Sequence, residues 1–107
     1  MANPHAGEVA VVIGGERRAM RLTLGALAEM EAAMEADSLV DLVARFEEGR
    51  FSSRDVLAVI VAGLRGGGWE GQAADLLTAE IAGGPVAAAR AAAQLLARAF
   101  ALPDAGA

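Results

Sequence analysis

A chain of 107 residues fits one domain and leaves little room for two. Hydrophobic residues make up 55% of it, but with three Phe, one Trp and no Tyr the core falls to Leu, Val, Ile and Met, with alanines allowing helices to approach closely. A net charge of −5, in which every basic residue is arginine, argues against nucleic acid as a direct partner, because phosphate binding draws on clustered positive charge; the absence of cysteine excludes disulfides, thiolate metal sites and cysteine nucleophiles.

Residues 1–7 hold Pro4 and Gly7 without periodicity and read as a flexible start. Residues 8–23 have a β pattern: Val9-Ala10-Val11-Val12-Ile13, then Gly14-Gly15, then a second run. Two glycines between such runs signal a hairpin, since two-residue turns need positive φ at their centre. The simplest register pairs Ile13 with Glu16, Val11 with Arg18 and Val9 with Met20, and sets Glu8 opposite Arg21 as an ion pair. It gathers Val9, Val11, Ile13 and Met20 on one face, which must pack on helices or on a partner because a lone hairpin is marginal. Arg17, Arg18 and Arg21 form the only dense basic run and read as a solvated face.

Thr23 is placed to cap a first helix reaching about residue 36, with Leu24, Leu27, Met30, Glu31 and Met34 at helical spacing and Glu29, Glu31 and Glu35 making it acidic. Ser38 and Asp41 have capping spacing before a second helix, whose stripe is Leu39, Leu42, Val43 and Phe46 and whose end is near Gly49. Ser52 and Asp55 repeat that spacing before a third helix to about Arg65, stopped by Gly66-Gly67-Gly68. Its interior, residues 56–64, is apolar all round and reads as the most buried segment; its β-branched residues also fit a buried strand. A short helix follows over about 72–82.

Pro85 then suits the first turn of a last helix running to about residue 101 and stopped by Pro103, with residues 103–107 a flexible end. In it Val86, Ala89, Ala93, Leu96 and Phe100 recur every three or four residues, opposite Arg90, Gln94 and Arg98. This seam packs within its own domain or meets another chain. The fold class expected is α+β, predominantly helical: an N-terminal hairpin and four to five short helices in a single domain over residues 8–102.

Catalytic chemistry is poorly provided for. The single histidine, His5, lies in the irregular start, and no usual metal set is available. Glu29 with Glu31, or Glu47 with Glu48, are neighbours that do not face each other on a helix. The triple glycine lacks the Gly-Lys-Ser or Gly-Lys-Thr ending of a phosphate loop, and the serines read as caps with no base to activate them. The longest apolar run, 56–64, is about half of the ~20 residues that span a bilayer. The N-terminus lacks a basic start and an apolar core, so no leader is expected. The expectation is a binder of other proteins with no cofactor, not an enzyme.

The segment from Gly7-Glu8-Val9 through Gly14-Gly15 to Arg21-Leu22-Thr23-Leu24-Gly25-Ala26-Leu27-Ala28-Glu29-Met30-Glu31 resembles the start of the gene transfer agent family of phage-tail-like proteins. Ser38-Leu39, Gly49-Arg50-Phe51, Leu64-Arg65-Gly66-Gly67-Gly68 and the Ala-rich last helix continue the resemblance over nearly the whole chain. It implies a bacterial tail assembly chaperone that holds the tape-measure protein soluble until tail-tube subunits polymerise around it, or else a structural tail-tube component. It also implies a location in the cytoplasm or with the particle. Partner-binding residues expected are Val86, Ala89, Ala93, Leu96 and Phe100 on the last helix and Val9 and Val11 on the hairpin. A homo-oligomer is compatible with the same surfaces; membrane and direct nucleic-acid contacts are not expected.

Overall fold

The computed structural model describes residues 7–33, 39–76 and 78–100. Strands β1 (Val9–Ile13) and β2 (Glu16–Met20) are followed by helices α1 (Leu24–Ala33), α2 (Leu39–Glu47), α3 (Ser53–Gly66), α4 (Ala73–Leu76) and α5 (Gly84–Ala99). The hairpin register is the expected one, with Val9 opposite Met20, Val11 opposite Arg18 and Ile13 opposite Glu16. Gly14 and Gly15 turn it at φ +57° and +82°, both in the left-handed region that a side chain disfavours. The ladder closes at Val9 and Met20, and the Arg21 backbone N–H donates instead to the Gly63 carbonyl at 2.8 Å.

Helix α3 is the centre of the molecule, touching α1, α5, α4 and β2. The residues that sequence pattern placed in a helix or a buried strand form a helix, nucleated by the expected capping box. The Asp55 N–H donates to Ser52 Oγ at 3.1 Å, and the Ser52 N–H donates to Asp55 Oδ2 at 2.9 Å. Val59, Ile60, Ala62, Gly63 and Leu64 are buried, whereas Leu57, Ala58 and Val61 keep some exposure, so α3 is covered on most sides but not all. Met20, Leu42, Val59, Ile60, Leu64 and Leu95, from four different elements, are the largest side chains shut away from water.

The triple glycine does more than stop this helix. A methyl group on Gly63 would come within 2.6 Å of Leu95 Cδ1 and 3.1 Å of Met20 Cβ. One on Gly66 or Gly67 would overlap the carbonyl oxygens of Arg21 or Ala19. Bare backbone along the end of α3 is what lets β2 lie directly on it and Leu95 of α5 come in against Gly63.

Helix α1 begins as expected, the Ala26 N–H donating to Thr23 Oγ1 at 3.1 Å. Its buried line differs from the expected stripe: Ala26 and Met30 are buried, Leu27 is half-buried, Glu31 is exposed and Leu24 is 84% exposed. Leu24 opens the helix, and helical side chains lean towards the N-terminus, so it reaches beyond the packed turns instead of into them. Met34, Glu35 and the expected Ser38 cap lie outside the described residues.

The expected helix over 72–82 is replaced after one turn. Among the described residues of that span only α4 is helical, and Ile81 bridges Ile13. The Gly14 N–H donates to the Glu80 carbonyl at 2.8 Å and the Ala82 N–H to the Val12 carbonyl at 3.0 Å. The outer edge of β1 presents backbone donors and acceptors that need partners, and β-branched Ile81 serves it better in an extended segment than a second helical turn would.

Candidate partner-binding site

Helix α2 is held to α3 by a two-pronged contact: Arg45 Nε and Nη2 donate to Asp55 Oδ2 and Oδ1 at 3.1 and 3.0 Å. Asp55 therefore serves the α3 cap and the α2 clamp together, and both side chains are mostly buried. One residue beyond Arg45, the Phe46 ring stacks on Phe51 with centroids 4.6 Å apart and planes 6° from parallel. The clamp and the stack fix α2 beside α5 without filling the space between them.

Hollows along α5 form a broken trough, of which α2 walls only the part towards the C-terminal end. The hollow towards the C-terminal end of α5, about 350 Å³, is lined by Val43, Phe46 and Glu47 of α2 and by Ala93, Leu96, Ala97 and Phe100. A smaller hollow of about 220 Å³ extends it past Val40 and Ala44. The hollow towards the N-terminal end, about 310 Å³, is lined by Phe51, Val56, Ile60 and Leu76 opposite Pro85, Ala88 and Ala89, with Ile81 at its end. The stacked phenylalanines stand between the parts, Phe46 facing one and Phe51 the other.

The residues expected to bind a partner separate into groups. Ala93, Leu96 and Phe100 meet in the C-terminal hollow and Ala89 lies in the other. Leu96 is 2% exposed and forms part of the floor, whereas Phe100 is 40% exposed at the rim. Val86 is exposed but lines neither hollow, and Val9 and Val11 are buried in the core beneath α5, where they support the helix. The face of α5 that packs inwards is Ala88, Ala91, Ala92, Leu95 and Leu96, turned by about a quarter-circle or more from the expected seam. Sequence reading missed Val40, 77% exposed, and the α2 wall as a whole. The signal was there: Val40 lies outside the stripe of Leu39, Leu42, Val43 and Phe46 that accounts for the packing of α2.

The trough offers burial and little else. Among the described residues Ser53 is the only polar side chain lining its N-terminal hollow, and Glu47 the only charged one lining the others. Among the described residues no His, Cys, Asp or Glu cluster is placed to hold a metal ion, and no helix is long and apolar enough to cross a membrane. A family described as phage tail tube protein, GTA-gp10, matches residues 6–102. The chain belongs to this family. No curated protein and no solved structure matches it. It is thus a tail-related protein, in keeping with the resemblance read from the hairpin and first helix.

Proposed function

We propose that this GTA-gp10 family protein is a tail assembly chaperone, a non-catalytic binder that covers apolar segments of the tape-measure protein until tube subunits assemble around it. The observation that carries this reading is the open apolar trough between α2 and α5, with Val40 and Phe100 exposed on its rim. Full burial of such side chains is worth about 1.5–3 kcal/mol each, enough for a reversible grip when only a few take part. Alanine, leucine and phenylalanine surfaces read shape loosely, which suits a client that must be held and then released. Ala89, Ala93, Leu96 and Phe100 are the α5 residues assigned to this surface.

A structural role in the tail tube is the second reading, and the family's description favours it. Against it stands the small sheet, whose β1 edge is engaged by residues 80–82 and whose β2 runs against the end of α3, leaving little edge for strand addition between subunits. Mass spectrometry of purified particles beside a pull-down during tail assembly separates the two. A chaperone co-purifies with the tape-measure protein and is missing from finished particles. Stoichiometric presence in those particles overturns the chaperone reading.

A further inference from the structure

The geometry points to a specific occupant: we propose that the trough along α5 seats a single amphipathic helix of the client, with a Lys or Arg beside its apolar stripe paired to Glu47. This deepens the proposed function and rests on its client-binding reading. Shape, backbone chemistry and charge each favour it.

The part of the trough walled by both α2 and α5 runs from Ala93 to Phe100, about 10 Å or about two helical turns. Ala93 and Ala97 lie four residues apart along it, leaving a low row between taller walls into which the side-chain ridge of a second helix fits. An extended segment fits poorly. It would bring unpaired N–H and C=O groups against a lining whose only polar side chains among the described residues are Ser53 and Glu47, whereas a helix satisfies its own backbone.

Charge selects among helices. Glu16, Glu29, Glu48 and Asp55 each pair with an arginine, whereas the Glu47 carboxylate has no such partner among the described residues and borders both C-terminal hollows. A carboxylate at the edge of an apolar site favours a cation on whatever enters and disfavours an acidic ligand.

The test measures binding of overlapping synthetic peptides that tile the tape-measure protein made with this chain, by fluorescence anisotropy against the full-length protein. The expected binders are peptides with apolar residues at helical spacing and a flanking Lys or Arg. Glu47→Lys weakens them about tenfold, and exchanging the peptide's basic residue for Glu restores binding to that variant. Ala97→Glu, at an exposed helical position, leaves the circular dichroism spectrum and Tm unchanged but weakens binding at least about a hundredfold. Peptide binding that both variants leave intact overturns the trough while sparing the chaperone reading. Failure of every peptide to bind the wild-type protein overturns both. A dimer of the chain alone in sedimentation, dispersed by Ala97→Glu, overturns the client helix in favour of a second copy.

Discussion

Replacing Gly66 by alanine reverses the sign that helix propensity alone predicts. Within a helix the exchange stabilises by up to about 1 kcal/mol, and less in a last turn. Here the new methyl would overlap the Arg21 carbonyl oxygen and lie 3.4 Å from the Thr23 nitrogen, both backbone atoms that cannot rotate aside. Arg21 must move off α3, which breaks its 2.8 Å hydrogen bond to Gly63, whose carbonyl keeps the Gly67 N–H; the lost bond and the displaced backbone together cost about 1–3 kcal/mol. Met20, fully buried one residue earlier, is drawn partly out of its seat at about a further 1 kcal/mol. The net destabilisation is about 2 kcal/mol, a Tm lower by roughly 8–16 °C for a domain of this size. Thermal melts followed by circular dichroism measure it, with Gly25→Ala as the counterpart. Gly25 lies in α1 with no atom nearer than Thr23 Oγ1 at 4.0 Å, so its exchange stabilises by a few tenths of a kcal/mol. A Gly66→Ala protein that melts as high as Gly25→Ala would refute the placement of β2 on the helix backbone.

Asp55→Ala removes one half of the α3 capping box and the Arg45 clamp together, so it costs about 2 kcal/mol in urea unfolding against about 1 for Ser52→Ala, which loses the other half of the box and leaves the clamp in place. Glu29→Gln breaks the ion pair with Arg65, but both side chains are over a third exposed, and the same assay registers a change below about 1 kcal/mol. Val40→Ser changes stability by less than about 0.5 kcal/mol because the side chain is already in water, while it weakens co-purification with the client. Ala82→Pro deletes the donor to Val12, and hydrogen exchange of the Gly14 amide quickens as the bridge to residues 80–82 loosens.

The local signals in the sequence were strong where chemistry is local. Gly14-Gly15 set the hairpin register to the residue, and Ser52 with Asp55 set the start of α3. What escaped depended on partners distant in sequence. Nothing near Ile81 announces that β1 needs an edge partner, so 78–82 read as more helix. On α5 half of the positions are alanine, and an alanine pattern marks no face strongly. The inward side was settled by where Met20, Ile60 and Leu64 wait to be covered, which turned the helix and left part of the expected seam open. Asp55 could be read as a cap, but its second role needs Arg45 brought alongside from another helix.

The bridge between Ile13 and Ile81 ties the hairpin to the last connection before α5. During synthesis the hairpin leaves the ribosome long before residues 80–82, and through that interval its β1 edge has nothing of its own chain to pair with. Closing a loop of this size comes late and slowly compared with the helical turns inside it. The nascent chain thus passes through a stage in which a pairing-competent strand is on offer to any other newly made chain nearby.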